Sequence, residues 1–133
     1  MDNPEQCPPD YVETTEGALR DTAALIEYVY AVAGRHKGGA ATSSVLPLVQ
    51  PVITPRFLPS CTDELLSGLG ALAAKYQCRV QSHCSESKWV VQYGDQRFGS
   101  TDAVVYDRFG LLGWVRCRRR HALPPVRVAD RCC

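Results

Sequence analysis

The sequence predicts an α/β fold of parallel βα units, and an incomplete one. Helix-like and strand-like stretches alternate in the order helix, strand, helix, strand, helix, the pattern of parallel strands joined through helices. Only two strands can be found in the 133 residues, too few for a parallel sheet with both faces covered. A closed (β/α)8 barrel needs about 250 residues. The chain therefore reads as a piece of a larger α/β protein.

The first helix is TEGALRDTAALIEYVYAVA, residues 15–33. Its apolar positions Leu19, Ala23, Ile26, Tyr30 and Ala33 recur at helical spacing and mark one core-facing side. Thr14 or Thr15 can cap its start, and Gly34 ends it. GRHKGGAATSS, 34–44, is a loop by composition. VLPLVQPVITPRF, 45–57, is apolar and β-branched but holds Pro47, Pro51 and Pro55. Proline lacks a ladder donor, so only VIT, or at most LVQPVIT, can pair.

A second helix follows in LPSCTDELLSGLGALAAKYQ. Ser60 and Asp63 match a capping pattern, and Leu65, Leu69, Leu72 and Tyr76 line one face. Gly68 and Gly70 weaken this helix by about 1 kcal/mol each relative to Ala, so tertiary packing must hold it. CRVQSH then reads as a short strand. A further helix can start between Ser85 and Tyr93, and STDAVVYDRFGLL, 100–112, reads as a helical turn and loop. There is no internal repeat and no glycine-rich phosphate fingerprint.

Composition excludes several classes. Hydrophobic residues at 45% and charged residues at 22% are ordinary for a globular chain. No apolar run approaches the roughly 18 residues of a membrane span. The N-terminus lacks the charged and apolar regions of a secretory signal. Seven cysteines without a CxxC pair indicate neither a disulfide framework nor a cysteine-rich zinc site. A reducing, cytoplasmic setting fits best. Net charge is +1, with +5 of it in residues 113–133 and −4 in the rest. The balance predicts no membrane or nucleic-acid partner, but the basic end needs its own account.

Functional groups of βα folds gather at the C-terminal ends of strands. That rule selects Thr54-Pro55-Arg56-Phe57 and His83-Cys84-Ser85-Glu86. His83 suits a zinc or other divalent ion. Glu86, three residues on, can reach the same site and shuttle a proton. Arg56 offers a planar fork for an oxygen acceptor, and Phe57 a face for a flat heterocycle. Each also has an ordinary reading. His83 can be a surface histidine, Glu86 a helix N-terminal carboxylate, Arg56 a surface residue and Phe57 core. Cys84 has no identifiable activating base, and His36 and His121 read as surface residues.

Taken in order, MDNPEQCPPDYVETTEGALRD, PVITPRF, VQSHCSES and AVVYDRFGLL resemble the guanine deaminase family of zinc-dependent amidohydrolases over residues 1–112. The resemblance implies a partial (β/α)8 barrel and the hydrolysis of guanine to xanthine and ammonia by a zinc-activated water. It implies that Arg56 and Phe57 contact guanine, that His83 is a zinc ligand, and that His83 and Glu86 serve catalysis, with Glu86 as the acid/base. It implies a homodimer for the full-length family.

The departures matter as much. The family has an early H-x-H pair, a second strand-end histidine and a late zinc-binding aspartate, and none of these is found here. The expectation is that the strand with H-x-H lies upstream of Met1, and that the frame changes after Leu112. Residues 113–133, with six Arg and three Cys, then read as a disordered or aberrant tail. The rival reading of RCRRRH is a nucleic-acid or nuclear-import patch. With one expected ligand of the usual three, the isolated chain is expected to be inactive and poorly stable. The alternatives are a deaminase of another ring substrate and a non-catalytic truncated isoform acting through subunit contacts.

Overall fold

The computed structural model describes residues 1–33 and 49–112. The loop at 34–44, the start of the proline-rich strand, the tail at 113–133, His36 and His121 lie outside the described residues.

The order of elements is the predicted one. Helix α1 spans Thr15–Val32, strand β1 Val52–Ile53, helix α2 Asp63–Tyr76, strand β2 Arg79–Val80, helix α3 Lys88–Phe98 and helix α4 Asp102–Arg108. Thr14 caps α1 by accepting from the Gly17 amide at 3.1 Å. On the face read from the sequence, Ile26 and Tyr30 are buried. That face packs on α2, and the Tyr30 hydroxyl donates to the Tyr76 carbonyl at 3.2 Å.

The two strands pair in parallel, Val52 with Arg79 and Ile53 with Val80. A further parallel bridge joins Phe57 to His83 beyond their C-terminal ends. Pro51 and Pro55 flank β1, which explains why it is only two residues long. Helix α2 is the crossover between the strands, so β1–α2–β2 is one βαβ unit.

One sequence expectation is corrected and another is narrowed. Ser60 does not cap α2. It lies in a 3-10 turn, Leu58–Ser60, and its hydroxyl donates to the Phe57 carbonyl at 3.0 Å. Extended Cys61 separates that turn from the helix, so Thr62 is the cap and accepts from the Leu65 amide at 3.2 Å. Helix α3 starts within the expected span 85–93, but after Ser85. That residue has φ +52°, in the left-handed region, which interrupts a right-handed helix. The cap is Ser87, whose hydroxyl accepts from the Val90 amide at 3.3 Å.

One core joins these elements. Ile53 from β1, Leu65, Leu66, Leu69 and Ala73 from α2, and Val105 and Tyr106 from α4 are all within it. The two glycines of α2 mark close approaches. A Cβ on Gly68 would fall 2.4 Å from Leu19 Cδ1, and one on Gly70 would fall 2.0 Å from the Phe109 carbonyl oxygen. The missing Cβ at these positions, with the low helix propensity that accompanies it, is thus the condition for α1 and the 109–111 segment to seat against α2.

The N-terminal segment, which the sequence left without a role, is tied to the turn after β1. Buried Asp2 accepts from the Thr62 amide at 2.8 Å and from the Thr62 and Thr15 hydroxyls at 2.6 Å each. Asn3 Nδ2 donates to the Pro59 carbonyl at 2.8 Å. One carboxylate therefore serves the N-terminal ends of both α1 and α2, where negative charge is favoured. No helix among the described residues is long and apolar enough to cross a membrane.

Candidate active site

Both predicted clusters sit where the strand-end rule puts them. Beyond Ile53 the chain runs through Thr54 and buried Pro55 to exposed Arg56 and half-buried Phe57. Beyond Val80 it runs to exposed Gln81, half-buried Ser82 and exposed His83. The Phe57–His83 bridge places the two segments side by side.

The imidazole of His83 is oriented by backbone. Both its amide, at 3.1 Å, and its Nδ1, at 2.8 Å, lie in hydrogen-bond reach of the Arg56 carbonyl. A carbonyl oxygen only accepts, so in the neutral ring Nδ1 carries the proton and Nε2 keeps its lone pair. This is the arrangement of metal-binding histidines, whose other ring nitrogen donates to a carbonyl or carboxylate. His83 thus fits a ligand position. Among the described residues, however, no group of three or more His, Cys, Asp or Glu could hold a metal ion.

Glu86 is exposed and lies one residue before the Ser87 cap, outside the first turn of α3. The structure thus brings Arg56, Phe57 and His83 together through backbone pairing, with Glu86 on the turn that follows. Phe57 also meets a residue that sequence reasoning missed. The ring of Trp89 is centred 6.5 Å from that of Phe57 and 5.7 Å from that of Tyr93, and Trp89 is 48% exposed. Its position in α3 three residues after Glu86 was the available signal.

Two polar groups beneath the strand ends were also missed. Ser82 donates to the Tyr106 hydroxyl at 2.7 Å. Burial pushes the Tyr106 phenol up to about 12, the Ser82 bond opposing it. Asp102 is fully buried and accepts from the Ser85 amide, the Ser85 hydroxyl at 3.0 Å, the Cys84 thiol at 3.2 Å and the Ala103 amide at 2.9 Å. Burial alone would raise its pKa, but these donors together hold it below the ordinary carboxylate value. Its only sequence signal is a helix start at Ser100-Thr101-Asp102, which says nothing about a contact 17 residues back.

A cavity of about 200 Å³ opens on the α1 side, lined in part by Glu13, Asp21, Thr54, Pro55 and Arg56. His83 and Glu86 do not line it. The strand-end cluster is therefore a surface built from two loops.

No family model matches the chain. Curated relatives do. The guanine deaminase of Dictyostelium discoideum is 39% identical over 107 residues, covering 79% of this chain and 21% of that protein. The probable guanine deaminase of Schizosaccharomyces pombe is 36% identical over 108 residues, covering 79% of this chain and 19% of that protein. Among solved structures, a guanine deaminase from C. acetobutylicum with guanine bound in its active site superposes with a TM-score of 0.68 at 36% identity. It is covered over 24% of its length, against 85% of this chain. A triazine hydrolase from Arthobacter aurescens superposes at 0.61 with 20% identity, which shows likeness of fold alone. The predicted fold class holds: the chain folds as an α/β segment of the amidohydrolase barrel.

Proposed function

Because this chain belongs to the guanine deaminase family and spans about a fifth of the length of its curated relatives, we propose that it is part of an enzyme that hydrolyses guanine to xanthine and ammonia. The observation that carries this reading is the parallel bridge between Phe57 and His83. It sets PRF beside SHxSE, the two motifs on which the resemblance to guanine deaminases rests.

In this reading Arg56 and Phe57 hold the purine, the guanidinium on its exocyclic carbonyl oxygen and the phenyl ring against the heterocycle. His83 supplies one ligand to a zinc ion through Nε2. Zinc, when bound, lowers the pKa of a water to about 7 and so makes it a nucleophile at neutral pH. Glu86 would take one proton from the attacking water and pass it to a ring nitrogen of guanine as the oxygen bonds to C2. It would then take the second proton from that oxygen and give it to the amino group, whose bond to C2 breaks to release ammonia.

The remaining zinc ligands are supplied by the complete barrel, and so is the cover over the site. A cytoplasmic location and a homodimer belong to the same proposal. A barrel protein carrying this segment should convert guanine to xanthine in an absorbance assay. Glu86→Gln should abolish the conversion, and His83→Ala should remove both conversion and stoichiometric zinc. The zinc-supplemented 133-residue chain should give no turnover. Turnover by that chain, or a barrel protein that prefers triazines or adenosine derivatives to guanine, would overturn the proposal.

A further inference from the structure

Asp102 is a fully buried carboxylate that the proposed reaction does not use. As the first residue of α4, its expected task is to satisfy that helix's own N-terminus. Only one of its four hydrogen bonds does so, the one from the Ala103 amide. The other three go to Cys84 and Ser85.

Those two residues lie between His83 and Glu86, and Ser85 is held at φ +52°. A non-glycine residue in this region is less stable by roughly 1–3 kcal/mol, and it persists only where its surroundings determine it. Here the determinant is identifiable. Oδ2 of Asp102 takes the Ser85 amide, while Oδ1 takes the Ser85 hydroxyl and the Cys84 thiol. The carboxylate grips backbone and side chain of the same residue, and so fixes the direction in which the chain leaves toward Glu86. Val105 and Tyr106, one turn later in α4, are core residues that anchor the carboxylate from behind. Ser82, on the other side of His83, donates to that same Tyr106. Both flanks of His83 are thus tied to one short helix.

We propose that Asp102 is a positioning residue, which locks the Cys84–Ser85 turn so that His83 and Glu86 keep a fixed relation. The catalytic meaning of that relation rests on the function proposed above; the lock itself does not.

The test compares Asp102→Asn, which keeps the shape and removes the charge, with the unaltered chain by amide hydrogen exchange. Exchange at the Ser85 amide should rise by about 10-fold or more, the scale expected when a hydrogen bond to a charged acceptor is lost. Amides of α2 should exchange as before, and Cys84 should be alkylated faster. If Asp102→Asn does not fold, Ser85→Ala removes one of the bonds and should raise exchange at the same amide by less. No change at 84–86, or a uniform rise that includes α2, would overturn the lock. In a barrel protein carrying the segment, Asp102→Asn should lower kcat with KM and zinc content held. An unchanged kcat would overturn the catalytic role. A protein with no guanine activity at all would sink the proposed function and leave the exchange result standing.

Discussion

Replacing Asp2 by Asn should destabilise the chain strongly at neutral pH and hardly at all in acid. Asp2 is only 6% exposed and accepts three hydrogen bonds, from the Thr62 amide, the Thr62 hydroxyl and the Thr15 hydroxyl. Hydrogen bonds to charged groups contribute about 1.5–3 kcal/mol each, and the three share one carboxylate, so their sum is less than additive. Asparagine keeps one oxygen acceptor and turns an NH2 toward the other donors. The expected loss is about 3 kcal/mol, or roughly 10–20 °C in Tm for a domain of this size.

The pH dependence follows from the same bonds. Burial would raise the Asp2 pKa, but the Thr15 and Thr62 donors and the nearby terminal ammonium hold it below the model-peptide value of 3.8. A carboxylate with a depressed folded-state pKa binds fewer protons folded than unfolded in the window between the two values. Its stabilisation is full above the unfolded pKa and fades as pH falls through the folded one. Urea unfolding followed by circular dichroism at pH 7 and in steps down to pH 2 measures this. Because Asp102 titrates in both proteins, the difference between parent and Asp2→Asn isolates Asp2. A gap that stays constant across the range, or one below about 0.5 kcal/mol at pH 7, the scale of an ordinary surface substitution, would refute the reasoning.

Two further outcomes are expected. Gly70→Ala should destabilise by up to about 2 kcal/mol in urea, since overpacking costs about 1–3 kcal/mol and helix propensity returns about 1. The clash is with the Phe109 backbone carbonyl, which cannot rotate away; a more stable Gly70→Ala would contradict it. The His83 ring, observed by 15N NMR at a pH where it is neutral, should show the Nδ1-protonated tautomer dictated by the Arg56 carbonyl. An Nε2-protonated ring would remove the argument for metal ligation.

Much of the fold was legible because it is local. The α1 face at Ile26 and Tyr30 follows from spacing, and the brevity of β1 follows from the prolines that flank it. The position of Arg56, Phe57, His83 and Glu86 at strand ends was also legible, since it needs only the βα alternation. Ser60 was misread as a cap because the 3-10 turn through Pro59 shifts the helix start by two residues, and a pattern match does not see that shift. Ser85 gave no sign in the sequence that it lies outside α3. Its left-handed conformation is imposed by Asp102, a residue 17 positions further along the chain.

By itself the sequence determined which residue types stand at the strand ends, and through them the family. Side-chain chemistry and spacing are written in one dimension. Only the tertiary structure decided how those residues are held. The tautomer of His83 depends on a carbonyl 27 residues away, the turn toward Glu86 on a buried carboxylate from α4, and the glycines of α2 on a backbone that meets them from outside the helix. Each is a contact between segments that are remote in the chain. Such contacts exist only once the elements have packed, because burial removes the water that would otherwise satisfy the same groups.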